Sequence, residues 1–198
     1  MKNQEVTNGV GSVNSIAAGL EQRVRFDVRK GVAVYADRLA RRGYDLLLVA
    51  RSQGPMSGLA RKLAVETGRK VQTLVTDLTD PKDLAGLERI PREDSRITLL
   101  LDNAGLGATK PLLGSNVDNM SKIVSLNVEA LTRLTYAVVP GFVKRRYGTI
   151  IHIGSIVAIA PERLNGVYGA TKAFVLVFSE SLRHELANTG VMVQVVLP

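Results

Sequence analysis

The sequence contains no cysteine and no tryptophan among its 198 residues. Without thiols the chain can form neither disulfides nor thiolate metal sites, and it has no cysteine nucleophile. It also lacks any apolar run of the roughly 18 residues that a membrane span needs, and its charged N-terminal segment does not read as a secretory signal. We therefore expect a soluble, cytoplasmic chain without a membrane partner.

Acidic residues are in the minority, with 18 Asp and Glu against 26 Lys and Arg, which gives a formal net charge of +8. The tightest basic groups, residues 41–42 and 144–146, fall where helices are predicted to end, and the helix dipole favours cations there. No zinc or RNP-type motif accompanies the charge, so nucleic acid is not an expected partner. The only histidines, His152 and His184, indicate no metal site and are expected to be structural or exposed.

Short apolar runs alternate along the chain with helical patterns. The predicted strands are residues 45–50, 71–75, 97–101, 149–153 and 191–197. The predicted helices are residues 32–42, 57–67, 81–89, 116–145 (as one helix or two) and 167–187. This alternation predicts an α/β fold, a Rossmann-like doubly wound parallel sheet in a single domain. Ligands bind such sheets beyond the carboxyl ends of the strands.

The N-terminal part does not join this pattern clearly. Val24, Phe26 and Val28 alternate with charged residues, which favours a half-exposed, irregular first strand. We therefore expect a flexible N-terminal tail over residues 1–22 and the Rossmann-like domain over residues 23–198.

Tyr168 and Lys172 open the last predicted helix four positions apart, so they share one helix face. A nearby ammonium favours the ionised form of a phenol, and the two together suit general acid/base work near neutral pH. A solvated helix face is the ordinary alternative for such a pair taken alone.

Three further features lie where a parallel sheet would present a ligand. Asn103, Ala104 and Gly105 follow one strand, and Ser155 follows the next. Asn127 lies inside an apolar helical pattern, where a buried amide must find hydrogen bonds. Taken singly, these residues also fit a turn, a helix cap and an exposed helix position.

In this order, Asn-Ala-Gly, Asn127, Ser155 and Tyr-x-x-x-Lys resemble the short-chain dehydrogenase/reductase family over about residues 32–198. The resemblance implies hydride transfer between NAD(P)(H) and a small-molecule carbonyl or alcohol. Tyr168 would be the general acid/base, and Lys172 would support it and hold the nicotinamide ribose. Ser155 would hydrogen-bond the substrate oxygen, and Asn127 would support the water chain that resupplies the proton.

The resemblance also implies a cofactor-binding set. Asn103, Ala104 and Gly105 would line the cofactor near the adenine ribose, and Asp77 with Leu78 would match the family's acidic-apolar pair at the adenine ring. Asp77 could instead cap the helix that starts near Pro81.

Arg51 follows the second strand of the pattern, where family members that prefer NAD usually carry an acidic residue. A guanidinium there accommodates a 2′-phosphate. The sequence therefore predicts NADP(H) in preference to NAD(H), with a solvated loop arginine as the alternative.

The family's glycine-rich phosphate turn is poorly matched. Only Gly31 remains as a glycine, while Lys30 and Val32 take two positions where glycine lets the backbone approach the pyrophosphate. The family's substrate-covering segment and last strand are also expected to be missing after Pro198.

These departures leave two hypotheses open. One is a working oxidoreductase, a homo-oligomer (dimer or tetramer) built on the long helices that end near Arg145 and Ala187. The other is a catalytically weak or inactive homologue, a fragment that acts only through subunit association.

Overall fold

The computed structural model describes residues 15–18, 28–160, 162 and 165–198. Its strands form one parallel sheet in the order β3-β2-β1-β4-β5-β6. The strands are β1 (Ser15–Ala18), β2 (Leu46–Ala50), β3 (Val71–Val75), β4 (Leu99–Asp102), β5 (Gly148–Ile153) and β6 (Val191–Val196). This is the strand order of the doubly wound dinucleotide-binding fold, so the predicted fold class is confirmed.

Helices connect the strands and begin or end within a few residues of the predicted positions. They are α1 (Val28–Arg41), α2 (Gln53–Thr67), α3 (Pro81–Glu93), α4 (Val117–Val124), α5 (Leu131–Lys144) and α6 (Gly166–Glu185). A π-helical segment, Ser125–Ala130, joins α4 to α5 without a break. Helix α3 continues past Pro91, because a proline in the last turn removes only one hydrogen bond and the Asp94 amide still closes the helix on Ile90.

Two apolar layers hold the helices on opposite faces of the sheet. Leu47 and Val49 of β2 belong to the cluster that packs under α3, α5 and α6, whereas Leu46 and Leu48 belong to the cluster under α1 and α2. Successive residues of a strand point to opposite faces, so a strand covered on both sides must be apolar throughout. The unbroken apolar run of β2 therefore places it inside the sheet.

The first strand lies earlier than the sequence predicted. Ser15–Ala18 pairs with both β2 and β4 at the centre of the sheet, so residues 15–18 do not belong to a tail. Val28, assigned to an irregular strand, is the first residue of α1, and residues 19–27 lie outside the described residues. A central strand of a parallel sheet is covered on both faces and therefore disfavours charges such as those that alternate over residues 24–28.

The turn from α6 into β6 depends on a glycine. Gly190 has a φ of +84°, and a Cβ there would collide with the carbonyl group of Arg146. Both constraints exclude a side chain, so Gly190 lets the chain turn closely enough for β6 to pair with β5. Among the described helices none is long and apolar enough to cross a membrane.

Candidate active site

The carboxyl ends of β4 and β5 face the start of α6. Asn165 caps this helix, since its Oδ1 accepts hydrogen bonds from the amides of Val167 (2.9 Å) and Tyr168 (3.4 Å). Its Nδ2 donates to the carbonyl of Lys110 at 2.7 Å, in the loop that follows β4. Asn165 is buried and fixes the helix start against this loop. It thereby positions the half-buried Tyr168.

Lys172 lies one turn after Tyr168 on the same helix and is only 6% exposed. Its Nζ donates to the carbonyl of Ile153, the last residue of β5, at 2.8 Å. Burial lowers the pKa of Lys172 to about 8, against the attraction of Asp102, which raises it. Burial and this pKa exclude the solvated helix face that was the alternative for Lys172.

Asn127 lies in the π-helical segment and is buried, so it is not the exposed helix residue that was the alternative. Its Oδ1 accepts from the Leu106 amide at 2.8 Å, and its Nδ2 donates to the Leu106 carbonyl at 2.9 Å and to Thr171 Oγ1 at 3.0 Å. Thr171 Oγ1 in turn donates to the Tyr168 carbonyl. Asn127 therefore joins the loop after β4 to the helix that carries Tyr168 and Lys172. π-Helical turns often occur at functional sites.

Ser155 follows β5 directly and is half-buried. Its Oγ accepts from the Val157 amide at 3.5 Å, which caps the short 3₁₀ turn Ile156–Ala158. The amides on either side of it, those of Gly154 and Ile156, donate to the carbonyls of Val196, the last residue of β6, and of Pro198. Ser155 is thus a capping serine on a segment held from both sides, a role compatible with the substrate contact predicted for it.

Gly105 marks the point where several predicted residues meet. A Cβ built there would lie 3.4 Å from Asn127 Oδ1 and 3.5 Å from Lys172 Nζ. The structure therefore brings the Asn-Ala-Gly turn, Asn127 and Lys172 together, with Tyr168 one turn away and Ser155 two residues beyond the carbonyl that Lys172 binds.

Asp102 is a site residue to which sequence reasoning assigned no role. It ends β4, is 2% exposed, and its Oδ2 has no hydrogen-bond partner in the described part of the chain. Burial raises its pKa to about 7, although Lys172 and a hydrogen bond from the Ala104 backbone both act to lower it. An acidic residue at the end of an otherwise apolar buried strand was the available signal.

His152 is the neighbour of Asp102 across β4 and β5. Its ring is fully buried and bridges Thr135 Oγ1 (3.0 Å) and Ser179 Oγ (2.9 Å), so of the two expected alternatives His152 is structural rather than exposed. Burial and, to a smaller extent, the charge of Lys172 lower the pKa of His152 to about 4. The ring is therefore neutral near neutral pH.

The residues after β4 fit a nicotinamide cofactor. Asn103 is buried, and its Nδ2 has no hydrogen-bond partner among the described residues. Leaving a buried amide donor unpaired costs free energy, and a bound acceptor would remove that cost. Ala104 and Gly105 are small and only half-buried, which allows a ligand to approach this turn.

The residues predicted to meet the adenine end of the cofactor lie where β2 and β3 finish. Arg51 Nη1 lies 4.0 Å from Asp77 Oδ2, and both side chains are more than a third exposed. Burial acts to raise the pKa of Asp77, but hydrogen bonds from Thr79 and the charges of Arg51 and Lys122 outweigh it and lower the pKa. The cap of α3 is Asp80 rather than Asp77, and Leu78 is mostly buried in the core.

Gly31 lies in the first turn of α1 rather than in the connection before it, and that connection falls in residues 19–27, outside the described residues. The side chain of Lys30 is also outside them. Val32 is 1% exposed and packs in the core under α1. That Lys30 and Val32 hinder the approach of the backbone to the pyrophosphate stays a prediction. Because α1 follows β1, its N-terminus lies at the carboxyl edge of the sheet, as in phosphate-binding folds.

The family model for short chain dehydrogenases matches residues 31–198. A very-long-chain 3-oxoacyl-CoA reductase from Rattus norvegicus is 34% identical over 175 residues, which cover 83% of this chain and 54% of that protein. The chain thus spans about half the length of this curated relative.

Two solved structures are also similar. A short-chain dehydrogenase from Sphingobium yanoikuyae in complex with NADPH is 42% identical with a TM-score of 0.86, covering 94% of this chain and 70% of that one. A bulky-bulky ketone specific alcohol dehydrogenase from Comamonas testosteroni is 40% identical with a TM-score of 0.86, covering 94% and 72%. The matched family model and these identities together establish that the chain belongs to the short-chain dehydrogenase family.

Proposed function

We propose that this chain is an NAD(P)(H)-dependent oxidoreductase that moves hydride between the nicotinamide ring and a carbonyl or alcohol carbon. The observation that carries the proposal is the convergence of Asn127 and Lys172 on Gly105, beside the segment of Ser155 and the helix start of Tyr168. Apart from Tyr168 and Lys172, which share α6, these groups come from different elements at the carboxyl edge of the sheet, where doubly wound folds bind ligands.

The bound nicotinamide would supply or accept the hydride. Tyr168 would donate a proton from its phenol to the carbonyl oxygen during reduction and take it back during oxidation. Ser155 would donate a hydrogen bond to the same oxygen and orient it. The buried Lys172 ammonium would favour the phenolate and hold the ribose. The amide of Asn127 is already engaged by Leu106 and Thr171, so it would fix the loop beside which the proton-resupplying water chain forms.

We propose NADP(H) rather than NAD(H) as the preferred cofactor. Arg51 and Ser52 follow β2 directly, and both are exposed. A guanidinium presents a fork of donors that suits a phosphate group. The nearby Asp77 carboxylate, 4.0 Å away, competes for this guanidinium, so we expect a clear but moderate preference. The NADPH bound to the Sphingobium relative is consistent with it.

We further propose that the substrate carries apolar groups beside its carbonyl. Leu112 and Leu113, in the segment that follows β4, are 77% and 97% exposed. Ile156 and Ile159 follow β5 and are also exposed. Because β4 and β5 are neighbours, these segments flank the same part of the edge, and exposed apolar groups around a site favour an apolar ligand. Several relatives are named for bulky ketones or long-chain oxoacyl substrates.

A homo-oligomer in the cytoplasm completes the proposal. Tyr136 on α5 and Val177 on α6 are 69% and 64% exposed, and Phe174 lies one turn before Val177. These apolar side chains lie on the two long helices predicted to form a subunit interface. Sedimentation of the purified chain would test the dimer or tetramer directly.

The first experiment is a titration of the purified chain with NADPH and, separately, with NADH, followed by calorimetry. We expect micromolar binding of NADPH and weaker binding of NADH. A panel of aliphatic and aromatic ketones then tests turnover, with Tyr168→Phe as the catalytic control. Binding of neither cofactor would overturn the proposal and favour the alternative, a family member that acts through subunit association alone.

A further inference from the structure

Two ionisable groups of opposite sign are buried where β4 and β5 end. Asp102 is 2% exposed and Lys172 is 6% exposed. No direct hydrogen bond joins them in the described residues: Lys172 Nζ donates to the Ile153 carbonyl, and Asp102 accepts from the Ala104 backbone. The Ile153 carbonyl that binds the ammonium directly follows His152, the cross-strand partner of Asp102, so Lys172 Nζ lies beside the end of β4. Attraction between the two charges raises the pKa of Lys172 and lowers that of Asp102.

A purely structural role does not account for the carboxylate. An asparagine would accept the same bond from Ala104, and its amide would avoid the cost of placing a charge in the interior. Asp102 Oδ2 has no hydrogen-bond partner in the described chain, so the Ala104 bond offsets only part of this cost. What a carboxylate adds over an amide at this position is negative charge, and the nearby group that responds to it is Lys172.

The other ionisable groups around Lys172 do not replace this charge. His152 is on β5 and is neutral, and Tyr168 is on the same helix. Asp118 and Lys122 on α4, and Glu129 in the π-helical segment, are all exposed to solvent. The 3₁₀ turn Ile156–Ala158 and strand β6 carry no ionisable side chain.

We propose that Asp102 is a positioning residue for Lys172, the buried counter-charge that keeps its ammonium protonated beside Tyr168. When Asp102 is ionised it offsets the desolvation of the ammonium, and the charged Lys172 then favours the phenolate. The effect on catalysis rests on the proposed function. The interaction between Asp102 and Lys172 requires no cofactor.

The test uses the full chain with ¹³C-labelled lysine, titrated by NMR from pH 6 to 10. Loss of one signal in Lys172→Met assigns it to Lys172. In Asp102→Asn we expect the Lys172 midpoint to fall by about one pH unit or more, a tenfold shift of the ammonium–amine equilibrium. Glu129→Gln removes an exposed charge from the same region and should leave the midpoint unchanged. Equal midpoints in Asp102→Asn and the unaltered chain would overturn the proposal.

A second measurement covers the case in which Asp102→Asn does not fold. In the unaltered chain labelled in aspartate, the Asp102 carboxyl carbon should titrate near neutral pH, and Lys172→Met should move its midpoint upward. An unmoved midpoint would again overturn the coupling. In an active chain, Asp102→Asn should also shift the pH profile of alcohol oxidation towards higher pH. If no cofactor binds, the proposed function fails, but the two NMR results still decide the coupling.

Discussion

Two pairs of oppositely charged residues lie at the same edge of the sheet, one exposed to solvent and the other buried. Arg51 and Asp77 follow β2 and β3 and are 37% and 40% exposed, whereas Asp102 and Lys172 are almost fully buried. The pKa of Asp77 is lowered and that of Asp102 is raised, although each carboxylate has a cation nearby. Hydrogen bonds and partner charges outweigh burial at the first carboxylate, and burial outweighs them at the second.

The two surroundings suit different tasks. At the exposed pair, water already solvates both charges, so a phosphate can replace the carboxylate as the partner of Arg51 at little cost. At the buried pair, the protonation of each group depends on the other, which suits proton chemistry. The predictions below test whether burial is what separates the two pairs.

The largest effect is expected from Lys172→Met, which removes the ammonium and keeps a side chain of similar length. We expect ketone reduction with NADPH to fall by roughly 10²–10⁴-fold, the contribution typical of a positioned acid/base group. The variant leaves Asp102 without its counter-charge, but this carboxylate, whose pKa burial already raises to about 7, can take up a proton, so folding should survive.

The matched control for this variant is Lys144→Met, which removes an exposed ammonium at the end of α5. Steady-state kinetics and circular dichroism on both variants separate a loss of chemistry from a loss of fold. If Lys172→Met reduces the ketone at the rate of the unaltered chain, Lys172 is not a catalytic residue.

The second effect concerns stability against pH. The pKa of His152 in the fold is about 4 against an ordinary 6.5, so unfolding takes up a proton between these values and stability is lost as pH falls from 6.5 to 4. The pKa of Asp102 is about 7 against an ordinary 3.8, so the fold keeps a proton that the unfolded chain releases, and stability is lost as pH rises from 4 to 7. Between pH 4 and 6.5 the two contributions oppose each other.

When one of the two groups is removed, the contribution of the other to the pH dependence of stability should therefore become measurable. In Asp102→Asn the free energy of unfolding should rise with pH between 4 and 6.5 more steeply than in the unaltered chain, by up to roughly 3 kcal/mol over the window. In His152→Gln it should fall with pH. Urea unfolding at four pH values measures the slopes. If the unaltered chain and both variants gave parallel curves of unfolding free energy against pH, burial would not be what shifts the pKa values of Asp102 and His152.

The sequence predicted most of the sheet and α6 well, but it did not predict the first strand or the contacts within the candidate site. The apolar runs of β2 to β6 identified the sheet, and the Tyr168–Lys172 spacing identified the helix proposed to carry the catalytic residues, because buried parallel strands and helix faces leave strong periodic signals. Ser15–Ala18 left almost none, since a run of four residues is too short to show a period, and the first strand was predicted near residues 24–28 instead. The partners of Asn127, the cap at Asn165 and the charge state of Asp102 depend on contacts between distant segments, which no local pattern encodes.

A third, smaller effect is expected at the exposed pair. Arg51→Ala should weaken NADPH binding about tenfold and NADH binding by less than twofold, because the guanidinium would meet only the extra phosphate. Arg61→Ala, an exposed arginine on α2, is the matched control. Calorimetric titration at low and high salt measures both cofactors. Equal losses for NADPH and NADH would mean that Arg51 does not distinguish them.

The smallest effect is the contribution of the exposed pair to stability. A double-mutant cycle on Arg51→Ala and Asp77→Ala should give a coupling free energy below about 1 kcal/mol, because water screens the two charges at 4.0 Å. In 1 M salt the coupling should approach zero, since the screening length falls to roughly 3 Å. The corresponding cycle on Asp102→Asn and Lys172→Met should give a larger coupling that salt barely changes, because bulk ions cannot enter the buried site. A large, salt-resistant coupling at the exposed pair would show that proximity, rather than burial, governs both pairs.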